Sequence, residues 1–236
     1  MERLVILGPA IAAAGIFVGM FIVYCGLVVS GRAPNVAGVK SNEVLGPFWA
    51  NYVVWMLRPL ERVLVASGVS PTLVTWLSVV ACAAAGVAIA LGHLASGAWL
   101  FIAGGILDML DGRLARAQNR QSAAGALFDS VSDRWAELAL FTGCAWFLHD
   151  DGWLFAVMAA VAGSLMVSYT RARGEGLGLE LRSGAMQRAE RILLIAIGAL
   201  AAAWFDASPA TEAYVAPTLG GALAICGALA MWTALG

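Results

Sequence analysis

Four aspartates pose the chemical question in this chain. Asp108 and Asp111 stand three residues apart, and Asp129 and Asp133 four apart, within DMLDGRLARAQNRQSAAGALFDSVSD. The surrounding sequence is lipid-soluble, and an ionised aspartate at the centre of a membrane helix costs about 2.5 to 3.5 kcal/mol on insertion scales, so a group of four calls for a cation. Residues at i+3 and i+4 share a helix face, so each pair projects to one side. The short connection 118–122 makes the two helices antiparallel neighbours, and the four carboxylates can converge. An all-oxygen donor set without Cys or His suits a hard divalent cation, Mg²⁺ or Mn²⁺, rather than zinc. Magnesium held this way is usually shared with substrate phosphates. Beside the acids, Gly112, Ala115 and Gly125 remove side-chain bulk where a nucleotide or phosphate can approach the backbone, and Arg116 supplies a forked cation suited to phosphate. Taken singly, such small residues equally serve close helix contact in a membrane.

The elements that must carry these residues are membrane helices. Of 236 residues, 61% are hydrophobic and 12% charged, which excludes an ordinary soluble domain. Apolar runs long enough to cross about 30 Å of hydrocarbon fall at 4–29, 72–91, 98–117, 123–148, 153–173, 192–205 and 213–235. The predicted fold is an all-α polytopic membrane helix bundle, with a six-helix core, one extra N-terminal transmembrane helix and an interfacial helix. The expected divisions are 1–31 for the extra helix, 32–69 for a linker and amphipathic helix, and 70–236 for the core. The first run is too long for a signal peptide's apolar region and reads as a retained helix, in which Gly15 and Gly19 form a GxxxG. Alternation of seven helices puts Arg32, Lys40, Arg58, Arg62, Arg113, Arg116, Arg120, Arg134, Arg171, Arg173, Arg182, Arg188 and Arg191 on one side, which the positive-inside rule makes cytoplasmic. The site therefore faces the cytoplasm, and the plasma (inner) membrane is the expected location.

Between the first helix and Ser70, the segment 44–65 carries an aromatic and apolar face of Phe48, Trp49, Tyr52, Trp55, Met56 and Leu60 beside Arg58, Glu61 and Arg62. That pattern reads as a helix in the cytoplasmic interface, interrupted by Pro47 and Pro59. Ser70-Pro71 starts the next span with proline where its missing N–H is harmless. Cys25, Cys82, Cys144 and Cys226 lie in apolar runs without metal-ligand spacing and read as packing residues, and His93 and His149 sit singly near helix ends.

A second cluster lies downstream. Ser168 to Gly178, SYTRARGEGLG, and the run Gln187-Arg188-Ala189-Glu190-Arg191 bring Arg171, Arg188 and Arg191 toward the face where the acids open. Clustered arginines suit a phosphate monoester, which carries up to two charges and accepts bidentate bonds; topology signalling is the plainer explanation and fits Arg120 and Arg182 better.

Asp108-x-x-Asp111-Gly112-x-x-Ala115-Arg116, eight residues, then Gly125-x-x-x-Asp129-x-x-x-Asp133 resembles without mismatch the signature of the CDP-alcohol phosphotransferase family. The resemblance runs from about Ser70 onward. It implies an enzyme in which an acceptor hydroxyl displaces CMP from a CDP-linked lipid. On this basis Asp108, Asp111, Asp129 and Asp133 hold Mg²⁺ or Mn²⁺, with Asp133 also the general base. Gly112, Ala115, Arg116 and Gly125 shape the CDP pocket, with Thr75 added from the preceding helix. The downstream segments are similar to the phosphatidylinositol-phosphate synthase branch and imply a phosphorylated alcohol, inositol phosphate, bound by Arg171, Arg188 and Arg191. Arg171 stands where the branch commonly has Lys, Ala189 replaces a Pro, and the chain ends MWTALG without the branch's terminal cation. The implied partners are CDP-diacylglycerol, the acceptor, membrane lipid and a second copy in a homodimer, with no nucleic acid. Phosphatidylglycerophosphate synthesis with glycerol 3-phosphate is the alternative within the family. Outside it stand a divalent cation transporter, which predicts carboxylates at the bilayer midplane and broken helices, and a silent scaffold that keeps the fold.

Overall fold

The computed structural model describes residues 2–32, 46–179 and 186–235. Lys40, Arg182, and the linker and helix onset expected within 33–45 lie outside the described residues. Two compact units divide the chain, Met1–Ser67 and Gly68–Gly236.

In the first unit, α1 (Glu2–Val29) and α2 (Gly46–Ala66) pack through aromatic rings. Phe21 stacks on Trp49 at 5.0 Å between centroids, Phe17 meets Tyr52 edge-on at 5.0 Å, and Tyr24 contacts Phe48 and Trp55. The Tyr52 hydroxyl donates to the Phe17 carbonyl. The structure places the glycine pair and corrects the expectation that proline interrupts α2. A Cβ at Gly15 or Gly19 would meet nothing within 4 Å, so the GxxxG is not the face that meets α2. Pro47 and Pro59 do not interrupt α2: Pro47 is its second residue, where the N–H has no partner within the helix, and Pro59 is accommodated inside it. An interior proline costs about 3 kcal/mol, a sum that several aromatic pairs at roughly 0.5 to 1.5 kcal/mol each can offset.

The second unit holds α3 (Pro71–Ala90), α4 (Leu94–Ala117), α5 (Ala123–Phe147), α6 (Leu154–Gly176), α7 (Arg188–Asp206) and α8 (Val215–Leu235), with a 3-10 turn at Pro209–Tyr214 before α8. Ser70 Oγ accepts from Leu73 N at 3.2 Å and caps α3, with Pro71 in the first turn. Ser122 does the same for α5, accepting from Gly125 N at 3.0 Å. Gln118, just past α4, donates through Nε2 to Val69 O at 2.9 Å and ties the end of α4 to the start of α3.

Neighbour relations close on themselves. Helix α3 packs on α4 and α5, α4 on α7, α7 on α8, α8 on α6, and α6 more loosely on α5, giving the ring α3–α4–α7–α8–α6–α5. Small residues permit the tightest crossings. A Cβ on Gly143 would overlap the Gly86 carbonyl across α5 and α3, and one on Gly227 would sit 2.8 Å from the Ala159 carbonyl carbon across α8 and α6. The expected close pairing of α4 with α5 is corrected: α3 lies against both, and the two make little backbone contact despite their short connection. Side chains, not backbones, meet across the space between them.

The chain is a multi-pass membrane protein. Among the described residues, five helices are long and apolar enough to cross a bilayer: Gly8–Val29, Pro71–Ala90, Leu94–Ala117, Leu154–Gly176 and Pro209–Leu235. Helices α5 and α7 fall outside that set. They carry Asp129, Asp133, Arg134, Glu137, Arg188, Glu190 and Arg191, and their ionisable side chains account for the lower apolarity.

Candidate active site

Asp108 and Asp111 lie in the C-terminal half of α4 and Asp129 in the first third of α5, roughly 9 to 14 Å from the linked helix ends at 1.5 Å per residue. One carboxylate oxygen from each lies within 4.8 Å of the others. Two ligands at about 2.1 Å from one magnesium ion are at most about 4.2 Å apart, so a shift of less than about 1 Å closes this set on a hard cation. Chemistry and spacing both fit one.

Asp111 is 3% exposed. Its Oδ2 accepts from Thr75 Oγ1 of α3 at 2.6 Å, and Thr75 also lies 3.2 Å from the Pro71 carbonyl. A hydroxyl has one proton, and the shorter bond to a carboxylate is the stronger claim on it. Thr75, expected at the nucleotide, thus stands beside an acid.

Asp133 sits one turn beyond Asp129 and takes a different partner. Its Oδ1 accepts from Arg188 Nη1 of α7 at 2.5 Å, and the same Nη1 pairs with Asp108 Oδ1. Arg188 therefore bridges α4 and α5 from a third helix. On the other side of Asp133, Arg134 Nη1 stands 3.9 Å from Oδ2 while donating to the Ser130 carbonyl and, at 3.0 Å, to Ser130 Oγ.

The remaining expected residues divide by position. Arg171, exposed on α6, reaches Gln187 Oε1 through Nη2 at 3.5 Å, beside Arg188. Arg191 is buried: Nε and Nη2 donate to Glu137 Oε1 at 3.1 and 2.6 Å, and Nη1 donates to the Met186 carbonyl at 3.1 Å. A Cβ at Gly112 would meet only Arg116 Nη1, at 3.6 Å, while Ala115 is half-buried and Arg116 exposed. At Gly125 a Cβ would press on the capping Ser122 Oγ at 3.1 Å, so its smallness also serves the start of α5. Glu137 escaped the sequence reading. The signal was present, since it follows Asp133 by four residues as Asp133 follows Asp129, on one face of one helix.

A site that gathers carboxylates from two helices, an arginine from a third and a hydroxyl from a fourth defines a class. The sequence profile of the CDP-alcohol phosphatidyltransferase family matches residues 68–234, and the chain belongs to that family of enzymes. It is 34% identical over 144 residues to a phosphatidylinositol phosphate synthase of Cutibacterium acnes, covering 59% of this chain and 70% of that one. It is 42% identical over 124 residues to an archaetidylinositol phosphate synthase of Methanothermobacter thermautotrophicus, spanning 52% of this chain and 61% of the relative's length. Two crystal structures of a Mycobacterium tuberculosis phosphatidylinositol phosphate synthase share the fold at 27% identity over 75% of this chain. The one with CDP-DAG bound has a TM-score of 0.64 and is covered to 88%; the one in complex with manganese and citrate has 0.65 and is covered to 84%.

Proposed function

We propose that this enzyme transfers the phosphatidyl group of CDP-diacylglycerol to inositol phosphate and releases CMP. The observation that carries the reading is Arg188, set between a carboxylate of the metal-ligating trio and the carboxylate best placed to act as base. Both relatives' names specify an inositol phosphate headgroup and differ in the lipid. Continuous α4 and α5 are not the broken helices that a transporter would use.

Asp108, Asp111 and Asp129 would hold Mg²⁺ or Mn²⁺, which when bound offsets the negative charge of the diphosphate. Asp133, joining them at the metal in this reading, accepts the proton of the acceptor hydroxyl. The oxygen forms a bond to the phosphatidyl phosphorus as the bond from that phosphorus to CMP breaks, and CMP departs with the electron pair. Arg188 orients the Asp133 carboxylate through the bond from its Nη1 to Oδ1. Together with Arg171 it presents forked cations to the acceptor's phosphate, exchanging a carboxylate partner for a phosphate one. Gly112, Ala115, Arg116 and Gly125 border the cytidine diphosphate, and Thr75 orients Asp111. The catalytic domain is 70–236, with 1–31 and 32–69 appended. The enzyme works as a homodimer among membrane lipids, its site opening to the cytoplasmic face of the plasma membrane.

The test is CMP release by the full chain in liposomes containing labelled CDP-diacylglycerol and Mg²⁺. Inositol phosphate should support turnover and free inositol should not. Preference for glycerol 3-phosphate would overturn the acceptor and leave the family chemistry standing.

A further inference from the structure

We propose that the buried Glu137–Arg191 pair is a positioning device that sets where Arg188 meets Asp108 and Asp133. The consequence for acceptor binding rests on the function proposed above; the geometric consequence does not.

The pair joins two helices that are not neighbours. In the ring, α5 and α7 are separated by α3 and α4 on one side and by α6 and α8 on the other. Two rungs span the interior: Asp133 with Arg188, and Glu137 with Arg191. Both helices start from the same end of the bundle, so the steps from 133 to 137 and from 188 to 191 run the same way. They advance about 6 Å and about 4.5 Å along their axes. The inner rung is the sealed one, with side chains only 3% and 7% exposed, whereas those of Arg188 and Asp133 are 17% and 23% exposed.

Arg191 also reaches backward. Its Nη1 bonds the carbonyl of Met186, whose N–H donates to Thr233 Oγ1 of α8 at 3.2 Å. Arg188 is the first residue of α7, and Gln187 at the N-cap makes no side-chain cap bond. Arg191 thus braces the segment from which Arg188 projects, holding one residue two positions before it and anchoring both to α5. A buried ion pair adds little stability over well-packed apolar side chains, so its value here is placement: it fixes one register of α7 against α5.

The test uses the full chain in detergent and reads Mn²⁺ affinity by electron paramagnetic resonance. Arg188 contacts a carboxylate of the trio, so its departure removes a competing positive charge. Arg188→Met should tighten Mn²⁺ binding about threefold or more, and Glu137→Gln should move it the same way. In the Arg188→Met background Glu137→Gln should add less than about twofold, the non-additivity of residues acting through one another. Should Glu137→Gln fail to fold, Glu137→Leu/Arg191→Met removes both charges and the Met186 brace, and should behave alike. Kinetically, either variant should raise KM for inositol phosphate about tenfold, leaving KM for CDP-diacylglycerol within about twofold. Wild-type Mn²⁺ affinity in both variants, or equal effects with and without Arg188, overturns the proposal. The Mn²⁺ pattern without turnover of inositol phosphate would instead keep the positioning role and remove the acceptor.

Discussion

Thr75 offers the sharpest test of how the carboxylates are held. Thr75→Val keeps the side-chain shape and removes the hydroxyl that Asp111 Oδ2 accepts at 2.6 Å. Both residues are buried, at 4% and 3% exposure, so solvent cannot readily replace the lost donor. A hydrogen bond to a charged group is worth about 1.5 to 3 kcal/mol. At about 1.4 kcal/mol per decade that is roughly 10- to 150-fold, and loss of a residue orienting a metal ligand typically costs about 10- to 100-fold in affinity. Mn²⁺ affinity should therefore fall about 10- to 100-fold in Thr75→Val, and Thr75→Ser should recover most of it. Titration of Mn²⁺ followed by electron paramagnetic resonance measures the first effect. CMP release against Mn²⁺ concentration measures the second, and excess Mn²⁺ should restore most turnover. If the hydroxyl proton belongs to the Pro71 carbonyl at 3.2 Å instead, the valine variant will bind Mn²⁺ like the wild type and the reasoning fails.

Asp133→Asn should lower CMP release by about 100-fold or more, the usual scale of general-base loss, and the three remaining aspartates should still bind Mn²⁺ in the resonance assay. Chelation of divalent cations should abolish CMP release, and Mg²⁺ or Mn²⁺ should restore it; persistent turnover in chelator would show that the aspartates work without an ion. Gly143→Leu forces a side chain into the Gly86 carbonyl and should cost about 1 to 3 kcal/mol or more, seen as a lower thermal midpoint. Gly15→Ala, whose Cβ meets nothing within 4 Å inside α1, should not lower the midpoint, and the helix propensity of alanine favours it by up to about 1 kcal/mol.

What could be read from the residues followed from local rules, and what could not followed from the ring. Spacing at i+3 and i+4 needs only a helix to put Asp108 with Asp111 and Asp129 with Asp133, and hydrophobic run length needs only a bilayer, so the helices and the acids were legible. The partner of each acid was not. Arg188 and Arg191 differ by three positions and look interchangeable as cations, yet one stands in the site and the other is sealed against Glu137. That difference arises because α7 passes α4 and faces α5 across the ring, a relation between helices far apart in sequence. Proximity in sequence misled in the opposite direction at α4 and α5, where a short connection suggested neighbouring helices and α3 instead lies against both. The same arrangement makes room for chemistry: carboxylates from non-adjacent helices can point into a shared interior only where backbones stay apart. Thr75 completes the point: a threonine in an apolar helix has no periodic signature, the family resemblance put it at the nucleotide, and its bond to Asp111 at 2.6 Å depends on how α3 packs against α4.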